Sequence, residues 1–355
     1  RVPQVDRTGA SGVTDQIETR VEKGVGLLTL NRPKAINSLT YDMIAAMSAV
    51  LAEWEADDAV RVVVLSGAGE RGLCAGGDVV AVHDSAKIDG VAARRFFRDE
   101  YVLNAQIARF PKPYVALMDG IVMGGGVGVG GHANIRIVTD TSKVAMPEVG
   151  IGFIPDVGGT YLLSRAPGQL GLHAALTGAP FSGADAIALG FADHYVPHDR
   201  LEKFTKAIID SDIATALAVH GTNAPSSDLL AQRNWIDECY GGESVADIVA
   251  ALQARGDERA RAAADQILTR SPIALSVTLA AVRRARELPS LEAVLTQEYR
   301  VSSQSVRSHD LVEGIRAQLV DKDRNPQWVP KTLAEVTKAD VEEFFQPVSD
   351  DLEWP

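Results

Sequence analysis

The chain predicts an α/β fold with a helical last third, on three observations. β-rich runs alternate with amphipathic helix patterns through the first half, glycine-rich loops follow strands, and helical spacing dominates beyond about residue 221. In order, Ile17–Val21 and Val25–Leu30 frame Lys23-Gly24 as a hairpin turn. Thr40 is an N-cap residue, and after it Met43, Ile44, Met47, Val50, Leu51 and Trp54 recur at helical spacing, an apolar stripe that needs a sheet beneath it. Arg61–Ser66 (RVVVLS) has the β-branched run of a strand, Val91–Arg109 is helical, and Tyr114–Met118 and Ile135–Thr139 are further strands. At Gly221 the run GTNAPSS has linker composition. Beyond it, Ser271-Pro272 opens a helix with an N-cap and a first-turn proline, while Ser244–Asp247 and Thr332–Glu335 fit capping boxes. The expected organisation is a flexible lead-in over 1–15, an α/β core over 16–221 and a helical region over 222–355.

With 355 residues, 46% of them hydrophobic, the chain can bury a sizeable core. No apolar run reaches the roughly 20 residues of a membrane helix, since even Tyr114–Val129 is broken by Gly and Asp. The N-terminus lacks the continuous apolar stretch of an export signal, and because the chain does not begin with Met a trimmed leader stays open. Two cysteines, Cys74 and Cys239, make neither a disulfide framework nor a metal-ligand set. The expected setting is therefore reducing: the cytoplasm, or the mitochondrial matrix if the source is eukaryotic. A formal net charge of −12 argues against nucleic acid and anionic membranes as partners. The same charge means that a polyanionic ligand needs a local basic patch.

Three segments carry candidate chemistry. Ser66–Asp78 (SGAGERGLCAGGD) and Asp119–Gly131 (DGIVMGGGVGVGG) each follow a strand, and three successive glycines at Gly124–Gly126 can turn tightly enough to expose backbone N–H groups to an oxyanion. Phosphate cradling is the rival use, but no Walker ending is present. In Ala145–Gly159 (AMPEVGIGFIPDVGG), Glu148 and Asp156 stand among apolar residues and glycine. Burial and a neighbouring carboxylate both raise a carboxyl pKa toward the range useful for acid/base work; the plainer role is capping of nearby N–H groups.

Taken in order, NRPKAINSLT (Asn31–Thr40), AGGD (Ala75–Asp78), MGGGVG (Met123–Gly128), MPEVGIGFIPDVGG (Met146–Gly159) and ALTGAPFSGADAIALGFADHYV (Ala175–Val196) resemble the crotonase superfamily. FFRDEYVLN (Phe96–Asn104), FIPDVGG (Phe153–Gly159) and EGIRAQLVDKDRNPQW (Glu313–Trp328) bring the likeness nearest to its 3-hydroxyisobutyryl-CoA hydrolases. The resemblance implies a crotonase-like spiral of ββα units with a helical C-terminal region that helps to close the site. It assigns the oxyanion hole to the N–H groups of Ala75 and Gly125, and catalysis to Glu148 and Asp156, the latter gripping the substrate's 3-hydroxyl or aiding general acid/base chemistry. Glu100 would contact substrate, and Arg32, Lys34, Ala35 and Asp78 would meet coenzyme A. Coenzyme A is part of the substrate, so no separate cofactor and no metal is expected.

The activity so implied is hydrolysis of 3-hydroxyisobutyryl-CoA, with 3-hydroxypropionyl-CoA as a second candidate substrate, in valine breakdown, with Glu148 as nucleophile or as general base. Hydratases of the superfamily carry a second catalytic glutamate where this chain has Gly128, which disfavours double-bond hydration. Three alternatives remain: an enoyl-CoA hydratase or isomerase working with one glutamate, a non-catalytic protein on the same fold, and an RNA-binding one. Superfamily members often assemble as trimers or hexamers, which leaves a homo-oligomer open. His194 has no catalytic role in the pattern, and Cys74 is expected to pack as a small apolar residue.

Overall fold

The computed structural model describes residues 14–355. Of the lead-in expected over 1–15, residues 1–13 therefore lie outside the described residues. Strands β1 (Ile17–Glu22) and β2 (Val25–Leu30) pair antiparallel, with Glu22 opposite Val25. Lys23 and Gly24 both take positive φ, 49° and 84°, as a two-residue hairpin requires. The chain continues through β3 (Val62–Gly67), β4 (Tyr114–Met118), β5 (Ile121–Met123), β6 (Ile135–Val138), β7 (Lys143–Ala145), β8 (Phe181–Ser182) and β9 (His194–Tyr195). One sheet has the order β1-β2-β3-β4-β6-β9 and is parallel from β2 onward; a second has the order β5-β7-β8. From β4 to β7 successive strands alternate between the two sheets, and this alternation makes the spiral.

Side chains of the main sheet divide with the period of two that strands impose. Leu28, Leu30, Val63, Leu65, Tyr114, Ala116 and Met118 enter the larger core. Val25, Leu27, Val64, Val115 and Leu117 face a second core closed by Phe204, Ile208 and Ala216 from the helices Leu201–Asp210 and Ile213–His220. On the larger core lies the helix Tyr41–Ala56, whose N-cap Thr40 accepts a hydrogen bond at Oγ1 from Met43 N at 3.2 Å. Its Met43, Ile44, Met47, Leu51 and Trp54 are buried as the spacing predicts. The helix Val91–Arg109 adds Phe96, Phe97 and Tyr101, and with them, on the same buried face, Glu100 and Asn104.

The C-terminal helices share this core. Leu275, Val282, Leu295, Tyr299 and Ile315 belong to the same cluster as the sheet residues. Ser271 caps the helix Pro272–Glu287, accepting from Ala274 N at 3.1 Å, and the capping boxes at Ser244 and Thr332 form. Among the described residues no helix is long and apolar enough to cross a membrane.

Candidate active site

The glycine loops after β3 and β5 are laced together. Cys74 N donates to Ile121 O at 3.1 Å and Met123 N donates to Cys74 O at 3.0 Å, so the Ala75–Asp78 loop runs on from an added edge of β5. A Cβ at Gly126 would stand 2.3 Å from Cys74 O, and Gly124 has φ +51°; neither position admits another residue without rearrangement. This close approach corrects the assignment of Ala75. The Ala75 N–H donates to Ile36 O at 2.9 Å and is thus satisfied within the fold. The N–H groups of Gly76, Gly77 and Gly125 have no acceptor among the described residues, and of the two loop amides it is the Gly77 nitrogen that a Cβ at Gly125 would approach, at 3.2 Å. The free amides that lie side by side are therefore Gly77 and Gly125, with Ala75 only lining the space beside them.

These loops form one wall of a cavity of about 610 Å³. Arg32, Ala35, Ala75, Asp78, Glu100, Gly125, Glu148 and Asp156 all line it, which gathers every expected site residue except Lys34. Lys34 sits exposed on the turn Pro33–Ala35, whereas Arg32 is drawn in by Ser38, donating from Nη1 to Ser38 Oγ at 2.7 Å and to Ser38 O at 3.2 Å. The cavity's other cation is Arg270, which sequence reasoning missed; its Nη2 donates to Thr177 O at 2.7 Å, and burial lowers its pKa. Phe96, Phe97, Phe153 and Ile151 supply apolar wall. Gln318 and Leu319 come from the π-helical turn Arg316–Val320, so the C-terminal region does help to close the site.

Three buried acids face this space, besides the half-buried Asp78. Glu100 comes from the 91–109 helix, Glu148 opens the turn Glu148–Ile151 after Pro147, and Asp156 follows Pro155; their exposures are 2%, 6% and 5%. Glu148 Oε1 and Glu100 Oε2 are buried without a hydrogen-bond partner. Glu148 Oε2 would lie 3.1 Å from a Cβ at Gly124, and Glu100 Oε2 3.3 Å from one at Gly125, so both carboxyls adjoin the free amides. Burial first, and the Asp156 charge second, push Glu148 and Glu100 well above the usual carboxyl range. Burial also drives Asp156 up to about 7, against a hydrogen bond from Tyr101 that pulls it down. Carboxyls with such values can hold or release a proton near neutral pH.

Behind the acids is a second set of residues with little local signal in the sequence. Tyr101 Oη donates to Asp156 Oδ2 at 2.6 Å and meets Ser302 Oγ at 2.5 Å. Glu298, on the same helix Leu291–Val306, accepts from Gly158 N at 2.7 Å, Thr160 N at 3.1 Å and Thr160 Oγ1 at 2.6 Å. The one clue was a glutamate in the apolar stripe of Leu291, Val294 and Leu295. Cys74 is fully buried with its thiol pushed up to about 12, and His194 is exposed on β9 away from the cavity lining.

A two-sheet spiral that brings free loop amides and unpaired buried acids to one cavity defines an enzyme of the crotonase type. The chain belongs to the enoyl-CoA hydratase/isomerase family, which it matches over residues 25–345. It is 39% identical over 336 residues to the mitochondrial 3-hydroxyisobutyryl-CoA hydrolase of Danio rerio, covering 92% of this chain and 88% of that one. The mitochondrial 3-hydroxyisobutyryl-CoA hydrolase of Homo sapiens is 38% identical over 341 residues, covering 93% and 88%. Among solved structures, a carnitinyl-CoA dehydratase from Mycobacterium thermoresistibile superposes with a TM-score of 0.94 at 68% identity, over 96% of this chain and 99% of that one. An enoyl-CoA hydratase from Rhodobacter sphaeroides 2.4.1 gives 0.89 at 39% identity, over 94% and 98%.

Proposed function

We propose that the protein hydrolyses a short 3-hydroxyacyl-CoA thioester, 3-hydroxyisobutyryl-CoA or 3-hydroxypropionyl-CoA, to the free acid and coenzyme A, as valine breakdown requires. The observation that carries this reading is that Glu148 and Asp156 share the cavity with the Gly77 and Gly125 amides, while no second acid can stand at position 128. A Cβ at Gly128 would meet Val157 Cβ at 2.7 Å and Asn104 Nδ2 at 2.8 Å, so the place of a hydratase's second glutamate is packed shut. The relatives named as 3-hydroxyisobutyryl-CoA hydrolases support the same choice.

In this reading the thioester oxygen lies between the Gly77 and Gly125 N–H groups, each contributing about 3 kcal/mol as negative charge develops there. Glu148, once deprotonated, acts by one of two routes. As base it takes a proton from water while the water oxygen adds to the carbonyl carbon; the C–S bond then breaks and the thiolate is protonated from Glu148. As nucleophile its own oxygen adds, the thiolate leaves, and water cleaves the resulting anhydride. Asp156 grips the 3-hydroxyl, and Arg32 and Arg270 receive anionic groups of coenzyme A. Two free, buried cysteines fit a reducing compartment.

A second reading, addition or removal of water across a double bond, is favoured by the 68% identity to the structure titled carnitinyl-CoA dehydratase. Purified protein given 3-hydroxyisobutyryl-CoA, carnitinyl-CoA and crotonyl-CoA separates the two. Thiol release from the hydroxyacyl substrate alone is the expected result. A change in conjugated double bond without free thiol would replace hydrolysis by the second reading.

A further inference from the structure

We propose that Tyr101 is a positioning residue for Asp156: its hydroxyl, fixed in turn by Ser302, sets the carboxylate's orientation toward substrate, while Glu298 holds the loop that carries Asp156. The inference rests on the proposed hydrolase reading for what Asp156 does, and on geometry for how it is held. Tyr101 is fully buried and does not line the cavity, so it acts through Asp156 and not on substrate. A phenol has a single proton. Donating it to Asp156 Oδ2 at 2.6 Å requires that the 2.5 Å contact with Ser302 be a hydrogen bond donated by Ser302 Oγ. The ring has little freedom to choose otherwise, stacked on Phe97 at 6.0 Å and met edge-on by Tyr299 at 6.5 Å.

The loop after Asp156 needs holding. Val157 has φ +54°, a left-handed conformation that a β-branched residue adopts at a cost of roughly 1–3 kcal/mol. Its carbonyl accepts from His132 Nε2 at 2.7 Å, and burial keeps that imidazole neutral, with a pKa lowered to about 4. On the other side the Glu298 carboxylate takes three donors from Gly158 and Thr160. Glu298 and Ser302 are four residues apart, hence on one face of the 291–306 helix. That face grips Asp156 twice, through the Tyr101 hydroxyl and through the loop backbone.

The titratable groups around Asp156 are Tyr101 and Glu100 on the 91–109 helix, Glu148 on its turn and Glu298 on the 291–306 helix. The three acids disfavour a second negative charge, whereas the Tyr101 hydroxyl stabilises it. Removing that hydroxyl therefore raises the Asp156 pKa. Tyr101→Phe in the full-length protein should lower kcat for 3-hydroxyisobutyryl-CoA by about 10- to 100-fold, the loss expected for a hydrogen bond to a charged group. KM should change by less than about threefold, and the limb of the pH–rate profile carried by Asp156 should move to higher pH. A folded variant with wild-type kcat, or with lowered kcat and an unmoved limb, overturns the inference. If Tyr101→Phe does not fold, Ser302→Ala decides it: the same upward shift supports the inference and an unmoved limb overturns it. Thiol release by the wild type tests the hydrolase reading separately, because the variant-to-wild-type ratio is taken on whichever acyl-CoA the wild type turns over.

Discussion

At Gly125 a missing side chain sets the distance between two loops. Its Cβ would press on Gly76 C and Gly77 N at 3.2 Å and on Glu100 Oε2 at 3.3 Å, contacts tight enough to push the loops apart by a few tenths of an ångström without unfolding them. Gly125→Ala should therefore lower kcat for thiol release by roughly 10- to 100-fold through misplaced amides, with a melting temperature near that of the wild type. Gly126→Ala differs in kind, because its Cβ would stand 2.3 Å from Cys74 O and attack the backbone that both loops share. Melting curves of the two variants beside their rates show whether the glycines separate in this way. Glu100, Glu148 and Asp156 were legible in the sequence through its motifs, helped for the latter two by their apolar surroundings. That the Ala75 amide of AGGD is not free was hidden, because its N–H finds its acceptor on Ile36, a residue that only the fold brings near.

Among the elements, the long ones announced themselves, for a physical reason: sixteen residues from Tyr41 to Ala56 show several turns of periodicity, whereas β5, β7 and β8, two or three residues each, show none. The tail motif EGIRAQLVDKDRNPQW was visible without its purpose. Arg316 binds Glu313, Asp321 and Asp323, and this hub shapes the turn that carries Gln318 and Leu319 to the cavity. Ser271 shows how one cap can serve two elements, since its Oγ accepts from Ala274 N and donates to the buried Asp310 Oδ2 at 2.6 Å. Ser271→Ala removes the cap and one donor to a carboxylate still bound by Val329 N at 2.9 Å. The expected loss is about 2–3 kcal/mol, read as a lower urea midpoint with an unchanged slope.

Across the whole molecule, a chain of net charge −12 keeps its most perturbed acids inside, and this must appear in its stability. Surface acids such as Asp193, Asp257 and Asp350 have lowered pKa values, so their contribution is complete well below neutral pH. Four buried acids behave oppositely: Glu100 and Glu148 are raised well above 4.5, Asp156 is raised from 3.8 to about 7 and Glu298 from 4.5 to about 8. Between the ordinary carboxyl range and these values the folded state binds more protons than the unfolded one, so stability falls as pH rises. The contribution of these groups is whole below about pH 4 and is lost through pH 7 and 8, at about 1.4 kcal/mol for each unit by which a folded pKa is raised. Melting temperature should therefore decline from pH 5 to pH 8. Glu148→Gln should flatten the decline, because an amide has no charge to bury; the variant should gain more stability over wild type at pH 8 than at pH 5 while losing turnover. A gain that is equal at both pH values would mean that Glu148 is not protonated in the folded enzyme at pH 5, and would remove the buried, proton-holding carboxyl on which the catalytic proposal depends.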